Sequence, residues 1–129
     1  ANDSPYGLFF ALRTQFRAGT DDERVNVLKG YTELNNRISA ARIVEDEAQA
    51  QSLDVMTARQ QSRMLELLDA YVAKFGFGVI FAVRDYTTAS LLASLEARTA
   101  STRDEELPVA YREVERLAQL QVEAAFAAA

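Results

Sequence analysis

The spacing of helix start and stop signals is the strongest constraint on how this chain can fold. Glycine and proline number only five and two among 129 residues, so few positions interrupt helical sequence. Thr20, Thr57 and Thr102 are each followed three residues later by Glu or Gln, which is the capping-box pattern of a helix start. Gly30 and Gly76 stand where a left-handed residue would end a helix. The pattern predicts an all-α fold.

Between these signals, apolar residues recur at three- and four-residue steps, as in helices with one buried face. The length suits a single domain, which we expect to span residues 1–129. The periodicity predicts a bundle of about six helices, near Tyr6–Arg17, Asp21–Lys29, Thr32–Ala50, Ala58–Phe75, Thr88–Arg98 and Pro108–Phe126.

The segment from Phe77 to Val83 breaks the helical pattern, because it is continuously apolar and contains β-branched residues. The sequence offers no second strand-like run to pair with it. We therefore interpret residues 77–83 as an irregular segment that passes through the core. Its backbone groups would then need side-chain or loop partners, and functional sites often lie where regular structure fails.

The composition limits the chemistry that the chain can perform. It has no cysteine and no histidine, which excludes thiolate nucleophiles, disulfides and the side chain that titrates near neutral pH. The net charge of -5 disfavours a nucleic-acid partner, since such partners are bound by clustered Lys and Arg. No apolar run approaches the roughly 18 residues that span a bilayer, and no signal peptide is recognised. We expect a cytoplasmic protein with no metal, no cofactor and no membrane partner.

Residue types alone offer few candidates for catalysis. The carboxylates at 45–47 could supply an acid or a base, although a solvated helix surface is the simpler interpretation. The acidic residues at 104–106 fit the first turn of a helix better than a site. Four aromatic residues could line a pocket, but their helical spacing is more typical of a core: Tyr71, Phe75, Phe77 and Phe81.

Several short motifs occur in a fixed order along the chain. They are Asp22–Gly30, Tyr71–Phe77 followed by Val79–Val83, Ser90–Arg98, Arg103–Leu107 and Val114–Ala118. In this order they resemble the 2-oxo-4-hydroxy-4-carboxy-5-ureidoimidazoline (OHCU) decarboxylases, whose signature includes a Phe-Gly-Phe-Pro-Phe run and a helix ending in Glu-x-Arg. The resemblance covers about residues 20–123.

The resemblance implies an all-helical homodimer that needs neither metal nor organic cofactor. Such enzymes remove the carboxyl group from an unstable intermediate of urate breakdown and protonate the product to (S)-allantoin. Their site uses a His in a His-Pro-Asp/Glu-Leu motif, a Glu-Gln pair, a Ser, a Phe of the aromatic run and a C-terminal Arg.

Matching these positions one at a time shows that most polar site residues differ in this chain. Tyr31 takes the place of the His, and Thr32 and Glu33 follow it. Glu47 matches the Glu of the pair, but Ala48 replaces its Gln, for which Gln49 could substitute if the register shifts by one.

The remaining matched positions are mostly apolar. Val44 falls near the Ser position, Gly78-Val79 replaces Pro-Phe after Phe77, and Gln121 falls on the C-terminal Arg position, whereas Arg98 and Arg116 are retained. The resemblance thus points to Glu47 and Tyr31 as catalytic residues. It points to seven ligand-binding residues: Thr32, Glu33, Gln49, Phe77, Val79, Arg98 and Gln121.

The replacement of His by Tyr31 leaves two functional hypotheses. An unperturbed tyrosine has a pKa of about 10, against about 6.5 for histidine, so its use as a base near neutral pH costs about 5 kcal/mol more. General acid–base catalysis typically contributes about 3–5 kcal/mol. The chain is therefore either a decarboxylase or related lyase acting on a small planar acidic or ureido-type molecule, or an inactive binding or structural homologue. The enzyme hypothesis predicts a pocket that encloses Tyr31 and a partly buried Glu47.

Overall fold

Six α-helices and two short strands make up the part of the chain that the computed structural model describes, residues 4–30 and 33–128. The six helices confirm the predicted all-α bundle, and the two short strands are a small addition that was not predicted. The helices are α1 (Pro5–Ala18), α2 (Asp21–Leu28), α3 (Glu33–Ser39), α4 (Ala58–Phe75), α5 (Thr88–Thr99) and α6 (Arg103–Ala127). The strands are β1 (Arg42–Val44) and β2 (Val55–Thr57), and two 3-10 helices cover Glu47–Gln49 and Val83–Asp85.

Capping boxes set the starts of α2, α4 and α6, as the sequence predicted. Thr20, Thr57 and Thr102 each accept a hydrogen bond from the backbone N–H three residues later, and the Glu or Gln there bonds back to the threonine N–H. Each box satisfies two N–H groups that a helix start leaves without partners. The helix α4 ends at Gly76, whose φ of 81° is left-handed.

Three boundary predictions were wrong. The predicted helix Thr32–Ala50 ends at Ser39, and the chain continues as β1, a 3-10 turn and β2, which pairs parallel to β1 in the register Arg42↔Val55. Each strand has only three residues, too few to show the alternation that identifies a strand. Gly30 is not left-handed, since α2 already ends at Leu28. The helix α6 begins at Arg103 rather than Pro108, because the cap at Thr102 nucleates it.

The irregular segment lies in the core, as predicted. Residues 77–82 form neither helix nor strand, and Phe77, Ile80 and Phe81 are buried. They pack with the buried sides of α4 and α5, which contribute Met64, Leu68, Tyr71, Leu91 and Leu95. The absence of a paired strand means that the position of this segment depends on side-chain contacts.

The helix α1 has no buried residue and packs on α6. Phe16 meets Tyr111 edge to face, with ring centroids 5.7 Å apart, and Arg17 bonds to Glu115 at 2.7 Å. None of the helices within residues 4–30 and 33–128 combines the length and apolar character needed to cross a membrane.

The left-handed conformation of Gly76 can be tested against Gly30. A Cβ at Gly76 would meet no atom within 4 Å, so Gly76→Ala should lower the free energy of unfolding by about 1–2 kcal/mol through conformational strain alone. A Cβ at Gly30 would make an ordinary contact with the Val27 carbonyl oxygen at 3.4 Å, and Gly30→Ala should change stability by less than about 1 kcal/mol. Urea unfolding of both variants measures the difference, and equal losses would contradict this assignment.

Candidate functional site

A cavity of about 1330 Å³ lies beside the irregular segment. Its lining includes the segment from Phe77 to Phe81 and, from α6, Leu117, Leu120, Gln121 and Ala124. Ligand cavities in proteins are commonly about 300–1,000 Å³ and mostly apolar. This cavity is apolar in the same way and has more room than one small ligand requires.

The polar groups of the cavity come mainly from the region around α3 and from the end of the apolar segment. Asn35, Asn36 and Arg37 belong to α3, Lys29 follows α2, and Arg84 follows Val83. All five side chains are exposed. The lining therefore combines apolar residues with exposed cationic and amide side chains.

A buried ion pair holds the middle of the irregular wall. Arg98 on α5 donates to Glu106 on α6, with Nη2 and Oε2 2.7 Å apart, and the two side chains are 6% and 0% exposed. Arg98 Nη1 also donates to the Ile80 carbonyl oxygen at 2.9 Å, and its guanidinium lies 4.5 Å from the centre of the Phe81 ring. Since a buried guanidinium needs all of these partners, the wall is fixed to α5 and α6.

Two tyrosines complete the network around this wall. The Tyr71 hydroxyl donates to Glu106, and burial, with the hydrogen bond to Glu106, raises the pKa of Tyr71 above its ordinary value. Glu113 accepts from the Ala82 N–H at 3.4 Å and from the Tyr86 hydroxyl. Burial, with the hydrogen bond to Glu113, raises the pKa of Tyr86 to about 12. Both hydroxyls are therefore protonated donors at neutral pH.

Three of the ligand-binding residues predicted from the resemblance line the cavity together. They are Phe77 and Val79 from the irregular wall and Gln121 from α6. Tyr31 and Thr32 lie outside the described residues. Glu33 begins α3, and Gly30 and Leu34, on either side of residues 31–33, both line the cavity.

The other predicted residues lie elsewhere in the single chain. Glu47 and Gln49 form an exposed 3-10 turn, capped by Asp46 accepting from the Ala48 N–H at 2.9 Å, and neither lines the cavity. The exposure of Glu47 contradicts the expectation that it would be partly buried. Arg98 does not line the cavity either, because its guanidinium is occupied by Glu106 and the Ile80 carbonyl.

The sequence interpretation missed Lys29, Arg37 and Arg84 as cavity residues. Arg84 carried a usable signal, since it directly follows the apolar segment. Arg37 gave no such signal, because the helix predicted for this region extended to Ala50, whereas α3 ends at Ser39. Within residues 4–30 and 33–128, no group of three or more carboxylates could hold a metal ion.

The chain is similar to known proteins over nearly its whole length. Residues 2–123 match the family model for OHCU decarboxylase. A 2-oxo-4-hydroxy-4-carboxy-5-ureidoimidazoline decarboxylase of Halalkalicoccus jeotgali is 26% identical over 117 residues, which are 91% of this chain and 66% of that protein. A protein of the same name from Haloferax volcanii is 24% identical over 122 residues, covering 92% of this chain and 73% of its own length.

A solved structure shares the fold. The crystal structure of an OHCU decarboxylase in the presence of (S)-allantoin superposes with a TM-score of 0.75 at 17% identity, covering 96% of this chain and 82% of that chain. At this identity, the similarity shows a common arrangement of helices.

The buried pair of Arg98 and Glu106 should dominate the stability of the cavity wall. Arg98→Met leaves Glu106 buried without its counter-ion, although the Tyr71 hydroxyl still donates to it, and this should cost about 3–5 kcal/mol of unfolding free energy. A double replacement, Arg98→Met with Glu106→Met, should recover much of that loss because no unpaired charge remains. Urea unfolding gives both values.

Arg63→Met is the matched control, since Arg63 pairs with Glu96 at 3.3 Å with both side chains nearly half exposed. It should cost less than about 1 kcal/mol. A loss for Arg98→Met as small as that of the control would show that the wall does not depend on the pair.

Proposed function

Since the chain belongs to the OHCU decarboxylase family, we propose that it is an OHCU decarboxylase-like lyase acting on a small planar acidic or ureido-type molecule in the cavity. The observation that carries the proposal is the convergence of Phe77, Val79 and Gln121 on one cavity. Gln121 is distant in sequence from the other two, and all three fall on ligand-contact positions of the family. The reaction is either the family's own step towards allantoin or a related one in another pathway.

In such a reaction the bond between the ring carbon and the carboxylate breaks, CO2 leaves, and the electron pair stays on the ring carbon. A proton donor must then protonate that carbon. We assign this donor role to Tyr31, because Gly30 and Leu34 on either side of it line the cavity. A tyrosine with an ordinary pKa is protonated at neutral pH, so it is a better donor than acceptor here. Thr32 and Glu33 complete the proposed ligand contacts.

The second candidate is a binding homologue that keeps the fold without turnover. The exposure of Glu47 and Gln49 favours this binding homologue. A carboxylate that faces solvent outside the cavity does not contact a ligand in the cavity and cannot transfer a proton to or from it. For the lyase hypothesis to include Glu47, that side chain must move to the cavity when ligand binds. Arg98 takes no ligand-binding role in either candidate, since its guanidinium is occupied by Glu106.

The wider assignments rest on the family. We propose a homodimer, a single domain over residues 1–129 and a cytoplasmic location. Exposed apolar side chains outside the cavity support self-association, among them the neighbouring Tyr6 and Phe10, which are 71% and 47% exposed. A small molecule remains the proposed ligand, with no cofactor, nucleic-acid or membrane partner.

The lyase proposal is tested by the handedness of the product. The unstable substrate is generated by enzymatic oxidation of urate and hydrolysis of the first product, and allantoin is followed by circular dichroism. Spontaneous decay gives a racemate, so a dichroic signal that grows with protein concentration is the expected result. Tyr31→Phe should lower the rate at least about tenfold, and Tyr31→His should raise it about 100-fold, since general acid–base catalysis typically contributes about 10²–10⁴-fold.

Tyr6→His serves as the control, because Tyr6 is 71% exposed and does not line the cavity. It should leave the rate unchanged. If neither the natural chain nor Tyr31→His produces a dichroic signal at high protein concentration, the lyase proposal fails. Calorimetric binding of allantoin by that inactive chain would then support the binding homologue.

A further inference from the structure

Three amide side chains from two helices line the cavity. Asn35 and Asn36 come from α3, and Gln121 comes from α6. All three are exposed. The side-chain hydrogen bonds that α3 and α6 form in the described part of the chain are made by other residues, such as Arg37 and Arg116. The N–H and C=O groups of the three amides are therefore available to a ligand.

The amides differ in kind from the other polar groups of the cavity. Lys29, Arg37 and Arg84 only donate hydrogen bonds. The chain has 19 acidic residues, yet none is found among the described lining residues. In the described lining, the amides are thus the side chains that both donate and accept.

A ureido group presents N–H donors and a carbonyl acceptor side by side in one plane. A carboxamide matches this edge, because its carbonyl oxygen accepts from a ureido N–H while its own N–H donates to the ureido oxygen. A guanidinium or ammonium group offers donors alone and leaves the ureido N–H groups without a partner. The amides are therefore the described groups best suited to a ureido ligand.

Contacts at both ends of α3 hold its amides beside the cavity. Leu34 packs against the core, and Ile38, one turn later, is 0% exposed within it. Gln61 Nε2 on α4 donates to the carbonyl oxygens of Ile38 and Ser39 at 3.0 and 3.3 Å, which satisfies groups that a helix end leaves without partners. Because the helix is already fixed, less ordering is needed when its side chains bind a ligand.

We propose that Asn35 and Asn36 recognise the ureido group of the ligand and determine the specificity of the cavity for it. Their carbonyl oxygens accept from the ureido N–H groups, and their NH2 groups donate to the ureido oxygen. The proposal rests on the proposed function, since it names the residues that select the ligand in the same cavity. The sequence interpretation had singled out neither asparagine.

An NMR titration of the full chain with two probes of equal charge and similar shape tests this selection. Hydantoate carries a ureido group and a carboxylate, and levulinate replaces both nitrogen atoms of hydantoate with carbon. We expect hydantoate to bind about tenfold more tightly, because it alone offers N–H groups to the amide carbonyls and each neutral hydrogen bond contributes a factor of about 2–10. The side-chain NH2 signals of Asn35 and Asn36 should shift with hydantoate. Equal affinities, or no hydantoate binding, would overturn the proposal.

A double variant tests the two asparagines themselves. Asn35→Leu with Asn36→Leu removes both amides and keeps side chains of nearly the same size. The preference for hydantoate over levulinate should fall from about tenfold to less than about twofold, while levulinate binds within about threefold of its original affinity. The far-ultraviolet circular dichroism of the variant shows that its helices are retained. An unchanged preference, as expected if Gln121 alone bound the ureido group, would overturn the proposal.

Asn26→Leu is the matched control, because Asn26 is also an exposed helical asparagine but lies on α2 and does not line the cavity. Its preference for hydantoate should stay at about tenfold. If the control lost the preference as the double variant does, the effect would not belong to α3 and the proposal would be wrong.

The two proposals fail separately. A hydantoate preference that disappears in the double variant, without a dichroic allantoin signal, removes the lyase function and keeps the ureido recognition. A dichroic signal from a chain that has no hydantoate preference removes the recognition by the asparagines and keeps the lyase function.

Discussion

The buried ion pair between Arg98 and Glu106 is the interaction on which the rest of the structure depends. A guanidinium and a carboxylate with 6% and 0% exposure are tolerated only when their hydrogen-bonding groups are matched. Here the matches are the Tyr71 hydroxyl from α4 and the Ile80 carbonyl from the irregular wall. Glu106 also lies near the start of α6, where the helix dipole favours a negative charge. One charge pair thus joins three helices to the wall of the cavity.

This arrangement explains how an unpaired apolar segment can form a wall. In a sheet, ladder hydrogen bonds would fix such a segment and prescribe its spacing. Here Arg98 donates to the Ile80 carbonyl and Glu113 accepts from the Ala82 N–H, so these two backbone groups are satisfied by buried side chains of α5 and α6. Phe77 and Val79 add apolar support, because both are buried in the core and Phe77 packs on the rings of Tyr71 and Phe75. The segment is therefore held by polar contacts to its backbone and by burial of its side chains.

The sequence predicted a helix accurately where it carried recognisable signals at both the start and the end of that helix. The helix α4 has a capping box at one end and Gly76 at the other, and its bounds were predicted without error. Residues 40–50 were wrongly predicted as helix and β2 was not predicted, because β1 and β2 are three residues long and pair with each other across residues that are distant in sequence. In the cavity, matching the chain to the family's motif positions identified Phe77, Val79 and Gln121. Arg37 and Arg84 belong to no such motif. Their proximity is a product of tertiary packing alone.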